Sequence, residues 1–524
     1  MKMTRLVLTF LAFGALMSSQ AFATEVGQLA GIWLVESNSP QGMIPQVIEL
    51  DLNEQGLSGD WQSVTHWPWR YSGAIKEVAI DQDSLSFKVF HGTWPGMVWR
   101  GHIQDENHFI MTLIGKDNLP IKTRQFRRIS TKELAQVQDQ APRDFITQKL
   151  PLPEVRDLPS NGLALTPPMG WNSWNVFKET IDDKTVRETA NALVSSGLRD
   201  AGYVYVSIDD GWQGQRDTMG VLHPNSKFPD MKALADYLHQ RGLRFGIYTS
   251  PGPETCAGYT GSHGHEVQDA RTFAQWGIDL IKFDWCSADD IYKTQAEMQA
   301  VYQKMGAALL ATHRQIVYSL CQYGEFDVGS WGRKVSGNLW RTGNDSVSGD
   351  QWTAISARFD SDGNPQDSGP GGWNDPDMML IGLGGLTMEE ARTHMTLWAM
   401  LAGPLFLGND LRSMTPETKD VLLNHQIIAI DQDPLGVQGK RVQKSGDVET
   451  WTKPLSDGST AVAVFNRGDS KAGIPVQWSQ LGLGGRRSKR ELWTGDELHT
   501  RQDFSVVDIP RHGVRIFRVE TDRS

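Results

Sequence analysis

The chain has 524 residues, 39% of them hydrophobic, and a net charge of −11. This length predicts roughly two to four globular domains. The acidic balance argues against nucleic acid or an anionic membrane as a partner, because both require basic patches on the protein.

The first 23 residues have the pattern of a secretory signal peptide. Lys2 and Arg5 supply the positive start, and residues 6–17 form an apolar run. Ala21-Phe22-Ala23 is a small-x-small cleavage site, so we expect cleavage after Ala23. No later segment reaches the roughly 18 apolar residues of a membrane span. We therefore expect an exported protein, secreted or periplasmic, that does not bind membranes.

Residues 24–130 are predicted to form an all-β domain. Gln46–Leu52, Ser84–Phe90 and Phe109–Leu113 are strand-like runs separated by turn residues, which predicts an antiparallel barrel or sandwich. The domain also contains six of the 19 tryptophans, namely Trp33, Trp61, Trp67, Trp69, Trp94 and Trp99. Such residues serve either a carbohydrate-binding module or the core of a scaffold domain, so the role of the domain is left open.

Residues 131–162 are predicted to be a linker. A short polar helix from Thr131 to Gln140 is followed by four prolines at positions 142, 151, 153 and 159. Proline-rich segments of this kind form stiff, extended connections between domains.

Residues 163–436 alternate between strands and helices. The strand Tyr203–Asp209, for example, follows a helix that begins at Asp182 or Asp183, both good N-caps. Thr387 and Glu390 form a capping box that opens a helix running to Leu401. About eight such units predict a (β/α)₈ TIM barrel. A doubly wound open sheet is the alternative, but no Gly-rich phosphate loop follows the first strand.

In residues 437–524 apolar residues no longer recur at helical spacing. This segment is predicted to form a C-terminal antiparallel β-sandwich. Thr460–Phe465 and Gly513–Val519 are strand-like runs, and Glu491–Trp493 is a shorter candidate entered from the polar turn 484–490. The predicted fold class is therefore multidomain, with a central (β/α)₈ barrel between two all-β domains.

Acidic, amide and aromatic residues stand at the ends of the predicted barrel strands. Because parallel strands of a barrel end at one face, these side chains are expected to meet there. Two carboxylates that face each other across a sugar are the minimum needed to cleave a glycosidic bond. Asp284, at the end of the strand Ile281–Asp284, and Asp345, beyond Trp340-Arg341, are the candidates for this pair.

The motifs at these strand ends resemble those of glycoside hydrolase family 27, the α-galactosidase or melibiase family. The matching segments are Thr166–Trp174, Asp209–Trp212, Ile281–Asp284, Trp340-Arg341 with Asp345, and Gly371–Met378. They occur in the family's order within residues 163–436, and the sandwich that follows also fits. The resemblance does not extend to residues 24 to about 160.

The resemblance implies a retaining mechanism, in which Asp284 is the nucleophile and Asp345 the acid/base. Lys282, two residues before Asp284, would favour the ionised form of that carboxylate. Asp345 must start protonated, so we expect burial and the charge of Asp284 to raise its pKa. The neighbours of Asp345 differ from those usual in the family, and Asp350 is the alternative acid/base.

The other matches imply a galactose site. Asp209 and Asp210 correspond to the pair that binds O4 and O6 of galactose. Lys282 and Arg341 would donate to ring hydroxyls. Trp174 is expected to form a pocket wall, Tyr248 to flank the nucleophile, and Asp377 to lie at the rim. Gln322 stands where several members carry Glu beside the sugar's 2-position.

The three cysteines are Cys256, Cys286 and Cys321, and their spacing leaves all three pairings open. The resemblance implies a Cys256–Cys286 disulfide, with Cys321 as the free thiol. No spacing typical of a metal site accompanies them. We therefore expect no metal and no cofactor. The resemblance implies a carbohydrate as the substrate.

The leading hypothesis is an exported α-galactosidase that acts on terminal α-linked galactose in oligosaccharides or galactomannan-type polysaccharides. The alternatives within the family are α-N-acetylgalactosaminidase, β-L-arabinopyranosidase and isomalto-dextranase. The Asp209-Asp210 pair favours galactose, and the bulky Gln322 and Tyr323 disfavour an acetamido group. A non-catalytic carbohydrate-binding protein is the alternative from another class, and the intact Asp284 and Asp345 argue against it.

Overall fold

The structure is a computed structural model, and its described residues fall into two compact units that divide between residues 148 and 149. The described residues are 28–36, 46–53, 56–63, 73–90, 97–114, 120–140, 149–289, 291–346, 350–361, 363–483, 489–497 and 504–520. The predicted signal peptide, residues 1–23, lies outside them. No helix in this part of the chain has both the length and the apolar character needed to cross a membrane.

The first unit contains a closed antiparallel barrel of eight strands. The strands are Gly31–Glu36, Gln46–Asn53, Gly56–Ser63, Gly73–Asp81, Ser84–Phe90, Met97–Asp105, His108–Ile114 and Pro120–Ile129. Each strand pairs with the next, and the first pairs with the last, with Ile32 opposite Ile129. The helix Thr131–Gln140 follows, with the bounds predicted from the sequence.

Aromatic side chains fill this first barrel. Trp33, Trp61 and Trp99 are all at least 95% buried, and the rings of Phe109 and Phe126 stack with centroids 4.6 Å apart. These three tryptophans therefore serve the core and not a sugar-binding surface. Trp67, Trp69 and Trp94 lie outside the described residues.

The second unit is built on eight parallel strands that form one curled sheet. The strands are Met169–Asn172, Tyr205–Ser207, Arg244–Thr249, Leu280–Asp284, Val317–Cys321, Leu339–Arg341, Trp373–Asp375 and Leu405–Leu407. The first strand pairs with both the second and the eighth. A parallel bridge between Met379 and Leu407 joins the chain after the seventh strand to the eighth. The sheet thus closes as the predicted (β/α)₈ barrel, and the open doubly wound sheet is excluded.

Helices surround these strands, and two of them begin at the caps predicted from the sequence. They are Trp174–Phe177, Asp183–Ser195, Met231–His239, Glu266–Trp276, Gln295–Leu310, Gln351–Ala357, Met388–Leu401, Pro416–Leu422 and His425–Asp431. The side chain of Asp182 accepts a hydrogen bond from the backbone N–H of Thr185. Thr387 and Glu390 form the expected capping box. Five short 3₁₀ helices occupy Lys178–Thr180, Glu325–Ser330, Gly332–Val335, Leu411–Ser413 and Trp478–Leu481.

The helix Glu266–Trp276 buries charged side chains and exposes an apolar one. Val267 is 48% exposed. Glu266 and Asp269 are buried instead, because each has a cationic partner: Lys304 lies 2.7 Å from Glu266, and Arg216 lies 2.7 Å from Asp269. Paired charges can occupy a buried face that an apolar pattern would not assign to them.

Residues 149–162, predicted as part of a linker, belong to the second unit and have no regular secondary structure. They form hydrogen bonds with other parts of that unit. The backbone N–H of Leu158 donates to the carbonyl of Lys334 at 2.7 Å. The Asn161 side chain exchanges hydrogen bonds with that of Asn338, beside the sixth strand, at 2.8 and 2.9 Å. This stretch is therefore anchored along the barrel.

The C-terminal part of the second unit is antiparallel, as predicted. A five-stranded sheet contains Lys440–Ser445, Val448–Pro454, Thr460–Asn466, Lys489–Glu491 and Val514–Val519, and a two-stranded sheet contains Ala472–Gln477 and Phe504–Ile509. The short strand lies two residues before its predicted position at 491–493. It ends at Glu491 because this carboxylate accepts from the backbone N–H groups of Trp493 and Thr494, which turns the chain.

Gly170 in the first barrel strand shows why the Pro-Met-Gly-Trp motif needs a glycine. A Cβ atom at this position would lie 2.4 Å from the carbonyl oxygen of Tyr205 on the neighbouring strand. The two strands could not keep their spacing with any larger residue, because the obstructing atom belongs to the backbone.

We expect Gly170→Ala to lower the thermal unfolding midpoint of the protein, because overpacking a closed barrel typically costs ~1–3 kcal/mol. The matched control is Ser195→Ala, at an exposed position near the end of a helix, which should leave the midpoint nearly unchanged. Equal midpoints for both variants would contradict this account of the motif.

Candidate active site

A cavity lies at the C-terminal ends of the barrel strands. Eight of the ten predicted catalytic and sugar-binding residues line it: Trp174, Asp209, Asp210, Tyr248, Lys282, Asp284, Asp345 and Asp377. Cys256, Tyr323 and Met378 complete the lining. Arg341 and Gln322, the other two predicted residues, are buried outside this lining. The fold thus gathers five acids from four strand ends into one small space.

Asp284 ends the fourth strand, and its side chain is only 7% exposed. Its Oδ1 accepts a hydrogen bond from the hydroxyl of Tyr323 at 2.7 Å. Its Oδ2 lies 3.9 Å from Nζ of Lys282 and 3.7 Å from Sγ of Cys256. The carboxylate is therefore fixed by a short hydrogen bond from one side and faces a cation on the other.

Lys282 makes its closest ion pair with Asp209, at 3.0 Å, and not with Asp284. Burial lowers the pKa of this ammonium, but the surrounding negative charge, that of Asp209 above all, outweighs burial and raises the pKa well above its usual value. Lys282 is thus a cation shared between two cavity acids. Asp284, at 3.9 Å, is the more distant of the two.

Asp209 and Asp210 are oriented mainly by backbone donors and a neighbouring amide. Asp209 accepts from its neighbour's backbone N–H at 2.9 Å and from the Asn172 side chain at 2.9 Å. Asp210 accepts from the backbone N–H groups of Gly211 at 2.8 Å and Ala257 at 2.6 Å. The second strand ends at Ser207, two residues earlier than predicted. Asp209 and Asp210 therefore lie beyond the hydrogen-bonded part of the strand. Their oxygens are therefore preorganised for a ligand with paired hydroxyls.

Asp345 differs from expectation in its pKa. Nη1 of Arg341 donates to its Oδ1 at 3.0 Å. Burial raises the pKa of Asp345, but the guanidinium and Lys282 together outweigh burial, so the pKa lies below its usual value. The side chain is 35% exposed, which further weakens the effect of burial. The predicted rise was wrong because the nearest charge is a bonded cation and not Asp284.

Arg341 also pairs with Asp377, at 3.1 Å between Nη1 and Oδ1. Asp377 adopts a φ of 95°, a conformation that costs a non-glycine residue about 1–3 kcal/mol. The surrounding structure holds it there: its carbonyl accepts from the indole N–H of Trp398 at 2.9 Å, and its Oδ2 accepts from the backbone of Ser346 at 2.6 Å. Backbone strain at this position serves the placement of the carboxylate.

The loop that carries Asp345 is anchored by Arg358, a residue that the sequence did not single out. Its guanidinium donates to the carbonyl of Asn344 and, at 3.1 Å, to Oγ of Ser346, the residues on either side of Asp345. Asp350, the alternative acid/base, caps the helix Gln351–Ala357 by accepting from the backbone of Thr353. Asp350 does not line the cavity and has a structural role.

Gln322 is fully buried, and its amide donates to the backbone carbonyl of Arg341 at 3.3 Å. Its side-chain oxygen has no hydrogen-bond partner among the described residues. Tyr323, the next residue, lines the cavity where Gln322 was expected, and its hydroxyl contacts Asp284. Sequence reasoning noted the bulk of Tyr323 but missed this contact, which depends on the chain direction after the strand.

Cys256 and Cys286 form a disulfide, and Cys321 is a buried free thiol. The bond joins the loop after the third strand to the end of the fourth, as the resemblance implied. Cys256, Asp284 and Cys286 form the one cluster of potential metal ligands found among the described residues. Both sulfurs are engaged in the disulfide, so this donor set does not fit a metal ion.

Two family models match the chain. One, described as alpha galactosidase A, covers residues 166–433. The other, described as the alpha galactosidase C-terminal beta sandwich domain, covers residues 445–519. These two regions coincide with the parallel barrel and the antiparallel sheets that follow it.

Known proteins agree with this assignment. The alpha-galactosidase of Cyamopsis tetragonoloba is 45% identical over 376 residues, covering 70% of this chain and 89% of the relative. The alpha-N-acetylgalactosaminidase of Rattus norvegicus is 40% identical over 384 residues, covering 67% and 90%. The crystal structure of alpha-galactosidase I from Mortierella vinacea matches with a TM-score of 0.64 and 34% identity, covering 69% and 98%. The chain therefore belongs to the α-galactosidase family, glycoside hydrolase family 27.

Proposed function

We propose that this protein is an exported retaining α-galactosidase, which releases terminal α-linked galactose from oligosaccharides or galactomannan-type polysaccharides. The observation that carries the proposal is the arrangement of Asp284 and Asp345 in one cavity with the paired acceptors Asp209 and Asp210. Export is inferred from the signal pattern of residues 1–23.

In the proposed first step, Asp284 attacks the anomeric carbon and Asp345 gives its proton to the departing oxygen. In the second step Asp345 takes a proton from water, which then displaces Asp284 and frees galactose with its original α-configuration. The hydrogen bond from Tyr323 and the charge of Lys282 keep Asp284 oriented and ionised. Proton NMR of the first product formed tests this course, because a β-anomer would indicate inversion.

Galactose recognition is assigned to the rigid acceptors Asp209 and Asp210. Their oxygens would accept hydrogen bonds from neighbouring hydroxyls of the sugar. A substrate with one of those hydroxyls inverted would leave a buried acceptor unpaired, and this typically costs ~1–3 kcal/mol. Lys282, already bonded to Asp209, would donate to the same region of the ring.

Release of α-linked N-acetylgalactosamine is the second candidate, because the relative from Rattus norvegicus carries that name at 40% identity. Tyr323 argues against it, since its ring occupies the cavity wall next to Asp284 and leaves less room for an acetamido group. A panel of nitrophenyl glycosides separates the candidates: we expect hydrolysis of the α-galactoside to exceed that of the α-N-acetylgalactosaminide. The reverse order would favour the second candidate, and no hydrolysis would favour a binding protein.

We expect Asp284→Ala to reduce kcat by at least about a thousandfold, because the reaction loses its nucleophile. Added azide should restore turnover by entering the space vacated by the carboxylate, and the product should be β-galactosyl azide. Asp350→Asn is the matched control: asparagine caps helices as well as aspartate does, so activity should be retained. Recovery of α-galactosyl azide from the Asp284 variant would reject its role as nucleophile.

The contact between Arg341 and Asp345 predicts a difference between two pH profiles. Asp345 must be protonated to act as an acid, so activity falls as the pH rises through its pKa. Without substrate, Arg341 holds that pKa low; bound hydroxyls compete for the guanidinium and release Asp345. The alkaline limb of kcat should therefore lie at higher pH than that of kcat/KM. Coincident limbs, measured with one α-galactoside, would contradict this mechanism.

A further inference from the structure

Lys178 occupies a strained position beside the cavity. It follows the short helix Trp174–Phe177, which begins directly after the first barrel strand, and its backbone adopts φ 48° and ψ −138°. A side chain other than glycine rarely adopts this conformation, and strain of this kind accumulates at ligand-binding positions. The residue thus lies on the face of the barrel where the strands end.

The ammonium of Lys178 lies 5.0 Å from the centre of the Trp174 ring, which forms one wall of the cavity. Among the residues that the structure describes, no carboxylate or carbonyl forms an ion pair or hydrogen bond with it. Burial lowers its pKa, and the attraction of Asp345, followed by that of Asp209, opposes this effect. Lys178 is therefore a half-buried donor beside one wall of the cavity.

We propose that Lys178 binds the leaving group, by donating a hydrogen bond to a hydroxyl oxygen of the sugar attached to galactose. This inference rests on the proposed function. The ammonium lies over the ring of Trp174, which lines the same cavity as Asp345, the group that protonates the bond to the leaving group in the proposed mechanism. A cation–π contact with the Trp174 ring holds the ammonium of Lys178 in place.

The galactose side of the cavity already has its own lysine. Lys282 is bonded to Asp209 and contacts the face of Tyr248, with its ammonium 5.1 Å from the ring centre. The two lysines therefore serve different parts of the substrate: Lys282 the galactose ring and Lys178 the sugar that departs. The ligand class for Lys178 is a hydroxylated leaving group, as in a galactosyl disaccharide.

The test compares Lys178→Met and Lys178→Gln on three substrates: an α-galactosyl disaccharide, nitrophenyl α-galactoside and α-galactosyl fluoride. We expect kcat/KM for the disaccharide to fall about tenfold or more, the loss typical of a hydrogen bond to a charged donor. Hydrolysis of the fluoride should stay unchanged, because fluoride has no hydroxyl to bind. The nitrophenyl substrate should show a small loss. Unchanged fluoride hydrolysis also demonstrates that the variants are folded.

Lys184→Met is the matched control. This lysine is 82% exposed on the next helix and lies 3.8 Å from Glu188, so its removal should change none of the three rates. Lys178→Arg should recover part of the disaccharide activity, because it keeps a cationic donor.

Two results would overturn the inference. The first is an equal loss on all three substrates. The second is no loss on the disaccharide. A wild-type protein inactive on all three substrates would defeat the proposed function itself. An active wild type with unaffected Lys178 variants would defeat only this inference.

Discussion

The arrangement of the catalytic face depends on one constraint, the accumulation of negative charge in a small space. Five carboxylates line the cavity, and carboxylates this close repel one another unless cations lie between them. Lys282 separates Asp209 from Asp284, and Arg341 joins Asp345 to Asp377. Each cation therefore has two acidic partners, and its positive charge offsets their mutual repulsion.

This charge balance explains why the supporting structure is so specific. Three features fix the positions of individual carboxylates: the backbone donors to Asp210, the strained conformation of Asp377, and the hydrogen bonds of Arg358 beside Asp345. A shift of about one ångström would weaken the ion pairs of the cavity, because Coulomb attraction falls with distance. Rigidity around the cavity is thus a requirement of its electrostatics.

Much of the fold was predictable because its signals are local. The capping box at Thr387 fixed the helix Met388–Leu401, and the apolar run before Asp284 located the fourth strand. The family motifs placed eight of the ten expected residues at one cavity. Local patterns have no information on contacts between distant segments. The hydrogen bond from Tyr323 to Asp284 spans 39 residues, and the ion pair that buries Asp269 spans 53, so both escaped prediction.

The pKa of Asp345 illustrates the same limit at a finer level. The sequence contains Arg341 four residues earlier, but only the loop geometry brings Nη1 within 3.0 Å of the carboxylate. A general rule for catalytic acids therefore predicted a rise, whereas the ligand-free arrangement lowers the pKa. The pKa of Asp345 is therefore set by the cations around it and not by burial alone.

The disulfide has a consequence for when this protein becomes competent. Cys256 contributes to the cavity wall, 3.7 Å from Asp284, and its bond to Cys286 forms only where thiols are oxidised. A chain kept in reducing surroundings lacks that crosslink beside Asp284. Completion of this cavity wall therefore depends on oxidation of the two thiols, so the redox surroundings of the chain act as a maturation step.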